Sequence, residues 1–238
     1  MIIYGKNTEG NMARHKVISQ KRKQKKKPDL LTDIRQLAEL GLHIAVTVYL
    51  LLMIAVLPFY FTDGYAQIGT DKYNFFYKGT WMVGILFLLF WVLYLAMKAA
   101  ILNREGSIKE ELKRLPEKLS LTDWFVLAYG VAVTLSYIFS DYKAGTDFGN
   151  PFVGVNHWNM GLRTQLLLVI IYFAVSRFWQ KNKWVPALWI PVSFVVFMLG
   201  YLNRFEVRPF EMKNTTIEYI STIGNMNWYC GYLVIIFF

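Results

Sequence analysis

Two apolar runs, LTDWFVLAYGVAVTLSYIFS (residues 121–140) and TQLLLVIIYFAVSRFW (residues 164–179), decide how this chain is read. Asp123 is the only charged residue in the first, Arg177 is the only one in the second, and Arg163 stands immediately before it. About twenty apolar residues at ~1.5 Å of rise each make ~30 Å of helix, the thickness of a bilayer's hydrocarbon layer. Both runs are therefore expected to cross a membrane. The Gly-, Asn- and aromatic-rich segment between them is expected to be held at one water interface.

Further apolar runs lie on either side. Together they predict about six spans, near residues 40–61, 80–102, 121–140, 164–179, 184–202 and 225–238, so the expected fold class is all-α, a polytopic membrane protein. Composition agrees: the chain is 55% hydrophobic, above the ~45–50% of ordinary soluble domains. Residues 1–39 carry the block KRKQKKK (residues 21–27) and read as a basic, largely disordered arm. The segment 62–79 reads as a loop. Residues 103–120 read as a short amphipathic surface helix built on Ile108, Leu112 and Leu115 and stopped near Pro116, with Thr122 and Asp123 capping the next span.

Lys and Arg sort by side. The arm holds ten, the connection after the second span six, and the turn after the fourth span three. The alternate connections hold two, two and three. Basic residues stay on the cytoplasmic face, so the expected topology has a cytoplasmic N-terminus, with the Gly- and Asn-rich loops outside. The arm is then a topology determinant and a binder of anionic lipid headgroups. Nucleic acid is not expected as a partner, because no aromatic or Gly residues interleave the block. The last apolar run, 14 residues from Asn225 with no basic anchor after it, reads as an incomplete span, so the chain is expected to be the N-terminal part of a longer protein.

The candidate site residues lie on the expected outer side. Arg163, at the mouth of the fourth span, has the planar fork that suits a diphosphate; its simpler reading is an interfacial anchor. Gly149, Gly154 and Gly161 would tie the loop before it. Asn225, after Gly224, opens the sixth span and reads either as a helix start or as a ligand contact. Arg204 and Arg208 fall in the last outer segment. His43 reads as an interfacial polar residue, and His157 is a loop residue beside Trp158. No metal site and no cofactor are expected: the single Cys230 has no partner, and no ligand cluster has metal-binding spacing.

Three stretches, TDWFVLAYGVAVTLSYIFSDYKAG (residues 122–145), WNMGLRTQLLLVIIYFAVSR (residues 158–177) and STIGNMNWYCGYL (residues 221–233), resemble the O-antigen ligase and O-antigen polymerase superfamily. The resemblance implies a helical bundle of the GT-C-like kind. It also implies metal-independent glycosyl transfer from an undecaprenyl-diphosphate-linked oligosaccharide in polysaccharide biosynthesis at the cell envelope. The decisive Arg and His residues of that family lie mainly on a later outer loop, so the catalytic residues stay unknown here. Arg163, Asn225, Arg204 and Arg208 are the candidates for holding the lipid diphosphate. The alternatives are a non-catalytic membrane subunit and a polysaccharide transporter or flippase; charge-free spans count against the transporter.

Overall fold

A computed structural model describes residues 29–141, 149–155, 159–210 and 219–237. The chain is mostly helical. Among the described residues seven helices follow in order: α1 (Leu30–Ala55), α2 (Ile68–Arg104), α3 (Ile108–Lys113), α4 (Leu121–Ile138), α5 (Leu162–Phe178), α6 (Trp184–Arg204) and α7 (Met226–Phe237). Two minimal hairpins precede the last helices. β1 (Gly149–Asn150) pairs with β2 (Gly154–Val155) before α5, and β3 (Tyr219–Ile220) pairs with β4 (Gly224–Asn225) before α7. The basic block, His157 and Trp158 lie outside the described residues.

Among the described residues four segments are long and apolar enough to cross a membrane: Leu30–Phe59, Ile68–Arg104, Leu121–Ile138 and Trp184–Arg204. This is consistent with a membrane protein. The two remaining expected spans are shorter helices, α5 with 17 residues and α7 with 12, or ~26 Å and ~18 Å at the usual rise. Large apolar side chains stand outside, including Leu89, Ile85 and Trp81 of α2 and Phe125 and Val131 of α4. In water such a surface is a liability; against lipid it costs nothing.

α1 lies at the centre and packs against α2, α5 and α6, while α4 touches the rest through α5. Glycines allow the closest approaches. A Cβ on Gly41 of α1 would strike the Phe90 ring of α2, and one on Gly200 of α6 would strike the Tyr229 ring of α7.

Two boundaries differ from the expectation. α1 begins at Leu30, ahead of residue 40, so part of the arm is helical; Ala38 and Leu42, both 0% exposed, give that segment a packed face. α2 begins at Ile68, so the expected loop 62–79 is largely helix. At 37 residues α2 is ~55 Å long and outreaches a bilayer by several turns. Its polar start is held down by its own charged residues, which grip the turn before it. Lys72 Nζ donates to the carbonyls of Leu57 (2.9 Å), Pro58 (2.8 Å) and Tyr60 (3.3 Å), closing the 3-10 turn after α1. Asp71 accepts from the backbone and hydroxyl of Thr62, both at 2.7 Å.

The cap of α4 also differs: Ser120, not Thr122, is the N-cap, and it forms a capping box with Asp123. Asp123 is 2% exposed and also accepts from Tyr172 (3.0 Å) and Arg177 (2.6 Å) of α5, so the cap of one helix locks the end of the next. α3 is a six-residue helix with Leu112 exposed. It is tethered by Glu111, which pairs with Lys98 of α2 (2.8 Å) and with Lys118 (2.6 Å). Hydrogen bonds from Lys118 and then Lys98 hold the Glu111 carboxyl down to about 2, so the tether stays charged across the physiological range.

Many of the polar contacts gather in two belts at opposite helix ends, while others, such as Tyr49 with Thr80 at 3.1 Å, lie between them. The first belt holds Asp29 with Arg104, Glu111 with Lys98, Asp123 with Arg177, and His43 of α1 against the end of α5. His43 Nδ1 meets the Phe178 carbonyl, so that nitrogen carries the proton, and Nε2 then accepts from the Gln180 amide at 2.8 Å. The second belt holds Lys72, Tyr65, Tyr73, Arg163 and Ser221. Helix ends alternate between the belts along the chain.

Candidate functional site

The second belt collects the residues the sequence singles out, and the loop before α5 shows how they are placed. Asn150 Oδ1 accepts from the backbone of Val153 (2.8 Å), tightening the β1–β2 turn. Gly154 sits at φ +110, a conformation left to glycine, and its bare Cα lets the turn press on Met160 and Gly161. As a result the backbone N–H groups of Gly161, Leu162 and Arg163 donate to the carbonyls of Val153 (3.1 Å), Pro151 (3.0 Å) and Phe152 (3.0 Å). The start of α5 is thus capped by backbone, and its first amides are spent on the loop. The glycine tie is present at Gly154 and Gly161, which meet backbone to backbone, and Gly149 opens the hairpin at φ +135.

Arg163 is half-buried between α5 and the projecting start of α2. Its Nη2 donates to the Tyr73 hydroxyl at 2.7 Å, and its guanidinium carbon lies 4.4 Å from the centre of the Tyr77 ring and 5.9 Å from that of Tyr73. Tyr73, Tyr77 and Trp81 succeed one another at helical spacing with ring centres 5.9 Å and 6.3 Å apart. Arg163 Nε is buried with no acceptor, and no carboxylate among the described residues pairs with the guanidinium. Among the described residues the half-buried cation is therefore held by π-faces and one phenol, without a counter-charge.

Asn225 lies elsewhere. Its Oδ1 accepts from the backbone of Asn227 (2.8 Å) and caps α7, the helix-start role. The turn that carries it is fixed by Ser221, which is 3% exposed at φ +57. Ser221 donates from its backbone to Asn203 Oδ1 (2.8 Å) and from its hydroxyl to the Val196 carbonyl (2.9 Å), and its own carbonyl accepts from Tyr65. Gly224 in that turn faces Ile68. Ile68 and Tyr73 are five residues apart on α2, about 140° around the helix, so the start of α2 stands between Asn225 and Arg163. Arg204 and Arg208 are exposed, with no hydrogen bond or ion pair among the described residues. Burial raises the Tyr65 hydroxyl above its ordinary value, and the charge of Arg208 opposes that shift. The four candidates share one belt but do not converge.

Sequence reasoning left Tyr73, Tyr77 and Thr164 out of the site. The i, i+4, i+8 spacing of Tyr73, Tyr77 and Trp81 is the signal for an aromatic face, and reading 62–79 as a loop conceals it. Among the described residues no three His, Cys, Asp or Glu side chains gather to hold a metal ion. Set against known proteins, the chain matches no family model, no curated protein and no solved structure.

Proposed function

We propose that this chain belongs to the membrane domain of a surface-polysaccharide glycosyltransferase of the ligase or polymerase type, and that Arg163 holds the diphosphate of an undecaprenyl-linked oligosaccharide. On this reading about six helices cross the bacterial plasma membrane as a GT-C-like bundle, the N-terminus is cytoplasmic and the second belt faces outward. The basic arm rests on anionic headgroups. The observation that carries the reading is Arg163 itself. Of the three arginines on the second belt it alone is half-buried, and among the described residues it has an orphan Nε and no carboxylate partner. A desolvated cation of this kind is stabilised by an anion brought from outside. Tyr73, Tyr77 and the exposed Trp81 beside it offer flat faces to a sugar or an isoprenoid, and the apolar flank of α2 continues from them into the hydrocarbon.

Binding to the purified chain in phosphatidylcholine nanodiscs tests this. Geranylgeranyl diphosphate is expected to bind, and geranylgeraniol and inorganic diphosphate to bind far more weakly. Arg163→Ala is expected to lose about 10- to 100-fold in affinity, the value of one or two charge-assisted hydrogen bonds, while Arg163→Lys keeps part of it. Equal affinity of the parent and both variants overturns the assignment.

A further inference from the structure

The hydrogen bonds around Arg163 have a direction that follows from counting protons. Thr164, 3% exposed, approaches the carbonyl of Asn159, and only the hydroxyl can donate there, so the one proton of Thr164 is committed. Tyr73 Oη stands 3.2 Å from Thr164 Oγ1, so Tyr73 is the donor in that pair. Tyr73 then has only its acceptor side to offer, and Arg163 Nη2 fills it at 2.7 Å. The result is a one-way chain from Arg163 through Tyr73 and Thr164 to the backbone of Asn159, whose φ of 42° belongs to the same glycine-tied loop.

We infer that Tyr73 and Thr164 are positioning residues: the relay fixes the Arg163 guanidinium over Tyr77 so that its remaining N–H groups are aimed before a phosphate arrives. The inference rests on the lipid-diphosphate reading and adds the residues that set the angle of its cation. Without the relay, Arg163 would have to be ordered by the ligand at a cost in affinity. The rotamer of Tyr73 is set from both sides, by the Tyr77 ring at 5.9 Å and by Thr164, so the relay belongs to the fold and not to an exposed side chain.

A double-mutant cycle in the same nanodiscs tests it, with geranylgeranyl diphosphate as probe. Tyr73→Phe keeps the ring and removes the hydroxyl; it is expected to weaken binding about five- to tenfold in the parent and less than about twofold in the Arg163→Lys background. Thr164→Val, which breaks the relay one step further out, is expected to behave as Tyr73→Phe does. A purely structural role gives losses of equal size in both backgrounds, and that result, or unchanged affinity of Tyr73→Phe in the parent, overturns the inference while leaving the lipid-diphosphate reading intact. Failure of the parent to bind the probe overturns both.

Discussion

Replacing Gly154 with alanine is expected to destabilise the chain by about 2–4 kcal/mol and to abolish binding at Arg163. Two costs combine. At φ +110 a side chain is strained in any surroundings, and the new Cβ would sit 2.6 Å from the Met160 nitrogen and 2.8 Å from that of Gly161. Those atoms are backbone, so no side chain can swing aside. The turn must move, and with it the carbonyls of Pro151, Phe152 and Val153 that cap α5. Gly106→Ala provides the comparison. That glycine is also left-handed, at φ +69, but nothing lies within 4 Å of its missing Cβ, so only the strain of about 1–2 kcal/mol is expected. Thermal unfolding in detergent, read beside prenyl-diphosphate affinity, separates the two. Similar behaviour of the two variants would show that close backbone packing does not hold the loop.

Gly200→Val is expected to detach α7 from α6. The ring of Tyr229 occupies the space over Gly200, and its hydroxyl donates to the Phe197 carbonyl at 2.9 Å. A valine there forces the ring out, costing about 1–3 kcal/mol for overpacking and about 1 kcal/mol more for the hydrogen bond. Pairing it with Tyr229→Ala empties the contested space, so the double variant is expected to regain part of the thermal midpoint lost by Gly200→Val alone. A double variant less stable than either single one would contradict this knob-and-glycine contact.

The helices most legible in the sequence are those bounded by charge. α4, α5 and α6 begin and end within about two residues of the expected spans, because uninterrupted apolar runs stop at Asp141, Arg163, Arg177 and Arg204. The starts of α1 and α2 were hidden for a shared reason. Their polar residues look like loop, but Asp71 and Lys72 are satisfied by the turn 57–62, and Ala38 and Leu42 bury one face of an otherwise polar segment. No local pattern reports a tertiary partner. The Ser120–Asp123 capping box, by contrast, is written in four consecutive residues, and reading Thr122 as the cap passed over it.

The candidate site divides along the same line. That Arg163 stands at a helix mouth and that Gly154 and Gly161 shape the preceding loop can be read from spacing alone. That Arg163 rests on Tyr73, ninety residues earlier in the chain, cannot. Nor does spacing reveal that α2 rises between Arg163 and Asn225, which places the two candidates on different faces of one helix.

Sidedness is the claim on which the functional reading turns, and one labelling measurement reaches it. In a Cys230→Ser background, a cysteine at Met160, exposed in the loop beside Arg163, is compared with one at Lys181, exposed in the turn after α5. A membrane-impermeant maleimide added to intact cells is expected to label position 160 and to reach position 181 only after lysis. Labelling of position 181 but not 160 in intact cells would place the Arg163 belt in the cytoplasm and contradict the account.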